Sequence, residues 1–190
     1  MRTYRVMTVM IILFVLSAGA VAAYEQHAYI QLYVGAGGAM ESADHVEGAL
    51  GGFGLAVIPV NPTNDWVGRI AIDYNEGEAR RERVRQDGFR WTDESTLRVV
   101  TGTFDMLYGP GFAAKDTFRY YVGGGLGFAY EELEFHDEDL SKWGLQFGIS
   151  AGVQYSIFDA GFRLTVLPDG ENAYVMGRFT VGIALGPFNY

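Results

Sequence analysis

The sequence of 190 residues contains no cysteine, only five prolines and only three histidines. Without cysteine the chain has neither a disulfide framework nor a thiolate metal ligand. His27, His45 and His136 show no H-x-x-x-H or H-E-x-x-H spacing, so we expect no metal site and no cofactor. Basic residues are also scarce: 14 Lys and Arg against 23 Asp and Glu give a net charge of −9. This balance argues against nucleic acid as a partner, because phosphate binding needs a basic surface.

Long hydrophobic runs are absent except for one largely apolar run at residues 6–16. It is too short for a comfortable transmembrane helix, which needs roughly 20 residues. Arg2 and Arg5 precede it, and small residues follow it up to Ala23. This order is typical of a secretory signal peptide, so we predict residues 1–23 as the signal and 24–190 as one exported domain. An uncleaved anchor helix is the alternative.

Glycine and aromatic residues are abundant, with 26 glycines and 15% aromatics. Much of the chain alternates between large apolar residues and small or polar ones, most clearly at residues 142–157. There the odd-numbered positions are apolar and the even-numbered ones are small or polar. Side chains on a strand point alternately to opposite faces, so this pattern predicts strands with one apolar face.

Eight such segments follow one another, and an even number suits a single-chain membrane barrel. We therefore predict an all-β fold, namely an eight-stranded antiparallel up-and-down transmembrane β-barrel. Residues 24–190 would form this outer-membrane β-barrel domain. The predicted strands are residues 28–40, 46–58, 66–75, 97–108, 118–131, 142–157, 160–167 and 174–185.

Charged residues within these strands fall on the polar phase. A charge of Arg or Lys that faces lipid near the midplane costs about 2–4 kcal/mol, so we expect these side chains to point into the lumen and to pair there. The predicted polar network of the lumen comprises Arg69, Asp73, Asp105, Arg119, Arg163 and Arg178. Aromatic residues near strand ends on the apolar phase predict the girdles of a barrel. These are Trp66, Tyr108, Tyr120, Tyr130, Trp143 and Tyr155.

The connections alternate in character. Those after the second, fourth and sixth strands are compact and rich in turn residues, and the sixth is predicted at Phe158-Asp159. Those after the first, third, fifth and seventh include two long, highly charged segments. Outer-membrane barrels have short periplasmic turns and longer extracellular loops, so we expect both termini in the periplasm.

Two glycine-rich segments carry a family resemblance: 120–128, YYVGGGLGF, and 29–37, YIQLYVGAG. With them the chain resembles the OmpA/OmpX-type small outer-membrane β-barrels, including the opacity-protein-like members. The resemblance implies an eight-stranded up-and-down barrel with a closed polar interior and outward-facing loops. It also implies a last strand that ends in an aromatic residue, and the chain ends at Tyr190. Pro187 departs from that pattern, since proline removes a ladder donor, and predicts a strand end near Gly186.

The second predicted outer loop contains the strongest local charge, at Arg80, Arg81, Arg83 and Arg85. Guanidinium groups suit phosphates, so this cluster is a candidate contact for lipopolysaccharide. The alternative is a solvated hairpin extension with cross-strand pairs to acidic residues. Those residues are Asp87, Asp93 and Glu94.

We expect a non-enzymatic, monomeric barrel of the bacterial outer membrane with a structural or surface-interaction role and outer-membrane lipid as its partner. Three alternatives remain: a lipid-modifying enzyme, a small channel, and a soluble lipocalin-like ligand carrier. An enzyme would need an activated serine. Ser42 with His45 and Ser141 with His136 share loops, but neither pair carries a motif, so no catalytic residue is predicted.

Overall fold

The computed structural model describes residues 27–41, 46–60, 65–84, 90–109, 118–134, 139–169 and 172–189. Its strands form one closed antiparallel barrel in which each pairs with the next and the eighth pairs with the first. The predicted fold class is therefore confirmed. Among the described residues, no helix has the length and apolar character needed to cross a membrane. The signal peptide lies outside these residues and stays a prediction.

The strands have the following bounds: β1 (His27–Glu41), β2 (Val46–Pro59), β3 (Trp66–Val84), β4 (Arg90–Tyr108), β5 (Phe118–Glu134), β6 (Asp139–Tyr155), β7 (Phe158–Asp169) and β8 (Asn172–Asn189). Both described chain ends lie at one end of the barrel, which we call the terminus end. The opposite end, where β1–β2, β3–β4, β5–β6 and β7–β8 are joined, is called the hairpin end.

The prediction was wrong about the ends of β3 and β4. We expected β3 to end at Asn75 and β4 to begin at Leu97, but they pair as far as Val84 with Arg90. The apolar alternation used to recognise strands requires a lipid-facing side. Backbone pairing of β3 with β4 continues beyond the part of the strands that faces lipid, and there the residues on both faces can be polar.

Two other boundaries also differ from the prediction. The turn between β6 and β7 is formed by Ser156 and Ile157, and Ser156 has a positive φ of 53°. Phe158 and Asp159 therefore belong to β7 rather than to the turn. Strand β8 does not end near Gly186 but continues through Pro187, and the β1–β8 register shifts between Ala28 and Ile30 opposite this point. The irregularity accommodates the missing donor of the proline.

The strands are staggered around the barrel. Following cross-strand partners once around from Trp143 leads back to Val153, ten residues further along the same strand. Such a stagger requires the strands to tilt by about 35–45° from the barrel axis. An eight-stranded barrel of this kind has an interior that side chains can fill.

The exterior is apolar and exposed, as the alternation predicted. Phe179, Phe158 and Ile149 are 70%, 63% and 63% exposed, which a soluble protein would not leave uncovered. Trp66 packs on Tyr108 at the terminus end with ring centroids 5.2 Å apart. At the hairpin end the Tyr130 and Trp143 centroids are 4.9 Å apart. Tyr130 differs from the other predicted girdle residues because it is buried.

Most glycines on the inward face have no room for a side chain. A Cβ at Gly52 would meet the backbone oxygen of Tyr74 and would lie 2.6 Å from the side-chain oxygen of Asn75. A Cβ at its neighbour Gly51, which points outward, would have its nearest atom at 4.0 Å. The glycine periodicity thus follows from the narrow interior.

These adjacent glycines provide a matched test. We expect Gly52→Ala to lower the free energy of unfolding by about 1–3 kcal/mol, because overpacking forces backbone shifts. Gly51→Ala should change it by less than about 0.5 kcal/mol. Urea unfolding in lipid vesicles measures both values. Equal effects of the two substitutions would contradict the assignment of inward and outward faces.

Candidate functional site

The lumen has three layers of buried side chains. An apolar layer lies at the hairpin end, a polar layer lies in the middle, and a second apolar layer lies at the terminus end. The hairpin-end layer is formed by Ala39, Leu50, Ala79, Leu97, Val99, Ala129, Leu167, Tyr174 and Met176, with Leu133 packed against it. The terminus-end layer is formed by Ile58, Val60, Val67, Leu107 and Tyr121, with Tyr29 packed against it. The interior is therefore less uniformly polar than the sequence analysis suggested.

Asp105 is the centre of one ion-pair cluster in the polar layer, and none of its surface is exposed. Its Oδ2 accepts hydrogen bonds from Arg69 Nε at 3.0 Å and Nη2 at 2.7 Å. The same oxygen accepts a bond from Arg163 Nη1 at 2.6 Å. Because Arg69 and Asp105 lie on β3 and β4 while Arg163 lies on β7, this cluster connects opposite walls of the barrel.

Asp73 is the centre of a second cluster. Its Oδ1 accepts hydrogen bonds from Arg178 Nη2 at 2.6 Å and from the Tyr33 hydroxyl at 2.5 Å. Its Oδ2 accepts a bond from the Thr101 hydroxyl at 3.0 Å. Arg178 also donates from Nη1 to Asn75 Oδ1 at 2.8 Å. The cluster joins β1, β3, β4 and β8.

The sixth residue of the predicted network, Arg119, is also buried but lies apart from both clusters. Its Nη1 donates to Gln154 Oε1 at 3.4 Å. Sequence reasoning missed Asp159, which is buried and accepts a bond from the Tyr121 hydroxyl at 3.1 Å. The sequence pattern was interpreted as a turn at Asp159. Asp159 lies two residues before Gly161 and four before Arg163, so it shares a strand face with them, and this spacing could have identified it.

The polar layer is almost completely filled. It encloses a cavity of about 20 Å³, lined among others by Gln31, Arg163 and Arg178. That is space for about one water molecule. Each of these three residues has a buried side-chain atom without a protein partner: Gln31 Oε1, Arg163 Nη2 and Arg178 Nε. One water could accept from the two arginines and donate to the glutamine.

The arginine cluster predicted in the second outer loop lies partly within β3. Arg80 Nε is 3.9 Å from Glu94 Oε1, and both side chains are well exposed. The strand register places Arg81 opposite Asp93 and Arg83 opposite Trp91. Arg85 lies outside the described residues. Glu94 and Asp93 are two of the acidic residues expected as cross-strand partners if this segment is a solvated hairpin extension.

A second group of charges lies on the outward face near the hairpin end. Arg98 donates from Nε to Glu76 at 3.1 Å and from Nη1 to Glu134 at 2.8 Å. The Tyr74 hydroxyl donates to Glu76 at 2.6 Å.

Lys142 Nζ lies 3.3 Å from the carboxylate of Glu131, which is buried on the inward face. Strand β5 thus continues to Glu134, three residues beyond its predicted end at Glu131.

The candidate catalytic pairs are not brought together in the part of the chain that the structure describes. Ser42, His45 and His136 lie outside it, and Ser141 is on β6. Within the described residues, no group of three potential ligands could hold a metal ion. The geometry therefore supports the filled lumen and the hairpin-end surface as the candidate functional features.

Breaking the cluster at Asp105 tests its contribution. We expect Asp105→Asn to lower the free energy of unfolding by about 3–5 kcal/mol, because two buried guanidinium groups lose their counterion. The triple variant Asp105→Leu, Arg69→Met and Arg163→Met should recover most of that loss, since no charge is left unpaired. Glu94→Gln, at the exposed pair, should cost less than about 1 kcal/mol. Unfolding of Asp105→Asn at wild-type urea concentrations would refute this account of the interior.

Known structures share this architecture. Neisserial surface protein A has a TM-score of 0.54 with 16% identity, over 82% of this chain and 96% of that chain. Ail, the attachment invasion locus protein of Yersinia pestis, has a TM-score of 0.47 with 14% identity, over 85% of this chain and 99% of that one. The N-terminal β-barrel domain of OprF from Pseudomonas aeruginosa has a TM-score of 0.44 with 19% identity, over 82% and 97%.

No protein-family model matches the sequence, and no curated protein is similar to it in sequence. Likeness at 16% identity shows the fold alone. The closed eight-stranded barrel, its apolar exterior and its charged, filled interior agree with the resemblance in the sequence. The chain has the fold of the small outer-membrane β-barrels of the OmpA/OmpX type.

Proposed function

We propose that this protein is a non-enzymatic, monomeric barrel of the bacterial outer membrane that presents a charged β-ribbon at the cell surface. The observation that carries the proposal is the extension of β3 and β4 beyond the rest of the rim. Strand β2 pairs with β3 only as far as Arg81, and β5 pairs with β4 only as far as Thr96. Residues Glu82–Val84 and Arg90–Ser95 thus have no other strand beside them within the described chain.

An extension of this kind belongs in water. Its sequence is strongly charged on both strands, and the exposed large apolar side chains that the structure describes lie below it. Backbone groups at the open edges of a two-stranded ribbon cannot be left unpaired in hydrocarbon. The hairpin end is accordingly assigned to the extracellular side, with both termini in the periplasm, because β3 and β4 extend beyond the rest of the rim there and barrels have their longer extramembrane segments outside.

The partner that the ribbon favours is a lipid with phosphate groups, such as lipopolysaccharide. Arg80, Arg81, Arg83 and Arg85 would lie just above the membrane, where each basic residue contributes on the order of 1 kcal/mol toward an anionic surface. A channel role receives no support from the interior, which side chains fill. A soluble carrier would need a polar exterior and an open apolar pocket inside, whereas this barrel has an apolar exterior and a polar layer with a cavity of only about 20 Å³.

Cysteine labelling tests the orientation, because the natural chain has no cysteine to interfere. Gln86→Cys, in the connection between β3 and β4, should react with a membrane-impermeant maleimide on intact cells. Asn61→Cys in the β2–β3 connection should react only after the cells are lysed. The opposite pattern would overturn the orientation.

Charge substitutions test the lipid contact in the same experiment series. Replacing the four arginines with glutamine should weaken binding to lipopolysaccharide vesicles at least about tenfold, or about 1.4 kcal/mol. The matched control replaces the ribbon acids Glu82, Asp87, Asp93 and Glu94 with glutamine and should bind at least as tightly as the natural chain. Equal loss in both variants would show that the ribbon folds or binds by other means, and no loss in the first would refute the proposed contact.

A further inference from the structure

We propose that the outward face of β8, β1, β2 and β3 at the hairpin end is a binding groove for one aminophospholipid. The inference rests on the proposed outer-membrane location, and it concerns the strand surface below the ribbon, with which it shares Arg80. The groove encloses about 810 Å³. Two neighbouring cross-strand rows form it: Val175, Met40, Glu47 and Arg80, then Gly177, Gly38, Ala49 and Glu78.

The floor of the groove consists of small residues where side chains would fit. A Cβ at Gly38 would have its nearest atom at 3.4 Å, and one at Gly177 would have its nearest at 3.7 Å. Most inward glycines, such as Gly52 and Gly77, have no such room. Glycine within a strand is destabilising, so its presence at open, outward positions is not explained by packing. What the glycines create is the depression itself.

The charges at the edge of the groove match one class of lipid headgroup. Glu47 and Arg80 are directly opposite each other on β2 and β3, and Glu78 is opposite Ala49 in the next row. These three side chains are exposed, and the contact of Arg80 with Glu94 is long at 3.9 Å. Two carboxylates and one guanidinium complement a headgroup that combines a primary ammonium with a phosphate. A headgroup with phosphate alone would face two like charges.

The position of the groove indicates that its occupant is a lipid. Its floor continues toward the terminus end into the apolar exterior, at Ala36 and Gly51 in the following row. The groove is therefore open to the acyl layer below and to headgroups above. Its floor spans only four strands, from Val175 on β8 to Glu78 on β3, which suits one phospholipid better than a glycolipid with many chains.

Filling the floor is the direct test. The folded full chain in detergent is mixed with phosphatidylethanolamine, and native mass spectrometry measures the retained lipid. Gly38→Leu with Gly177→Leu should reduce retention about tenfold, the equivalent of two methylene groups that lose their buried contact. The control is Gly68→Leu, which adds one leucine side chain on the outward face near the terminus end, where the ring of Phe104 is 3.5 Å away. Heat-modifiable gel mobility verifies that each variant is folded.

The headgroup is tested separately. The natural chain should retain phosphatidylethanolamine in preference to phosphatidylcholine and phosphatidylglycerol at equal concentration. Glu47→Gln with Glu78→Gln should abolish that preference, and Arg80→Gln should reduce retention of all three lipids. These measurements use purified protein, so their failure is distinct from a failure of surface labelling.

Three results would overturn the proposal. Equal retention by the natural chain and the filled variant would show that lipid does not occupy the groove. Retention of lipopolysaccharide but not of phosphatidylethanolamine would assign the groove to a glycolipid. A dimer that the filled variant abolishes would make the groove an interface between two copies of the chain.

Discussion

The carboxylate of Asp105, shared by Arg69 and Arg163 across the barrel, is the interaction on which the interior depends. Charges are tolerated there because each carboxylate at the two cluster centres meets guanidinium groups at 2.6–3.0 Å. The bonds of Arg163 with Asp105 and of Arg178 with Asp73 join strands that do not pair with each other, so they fix the cross-section as well as balance charge. The apolar layers above and below exclude water, which strengthens these pairs and raises the cost of breaking one.

The exterior follows from the same alternation, and it is not uniform. From β5 to β8 the outward face carries large aromatic and aliphatic residues such as Phe128, Phe147 and Phe179. At the hairpin end of β1 and β2 it carries Gly38, Ala49 and Gly51 instead. One wall therefore anchors the barrel in lipid, while the other leaves a depression beside the base of the charged ribbon. The depression is a membrane-facing site for a surface role, and the ribbon is a water-facing one.

The number of strands and the phase of their side chains could be predicted from sequence, because lipid imposes a strict period of two. The charges at Arg69, Asp73 and Asp105 were recognisable for the same reason. Which arginine meets which carboxylate depends on the stagger of ten residues, and single-strand periodicity contains no information about stagger. The lengths of β3 and β4 were missed because their outer parts meet water on both faces. The apolar layers inside the lumen were missed because residues such as Leu97 and Leu107 look like interruptions of a polar face.

Side chains close the lumen of the barrel. Planar-bilayer recording of the folded chain, at protein amounts where a known pore of similar size inserts readily, tests this closure most directly. We predict no stable conductance steps above the bare bilayer. Reproducible steps of one size that scale with the reconstituted protein would contradict the closed, ion-paired interior.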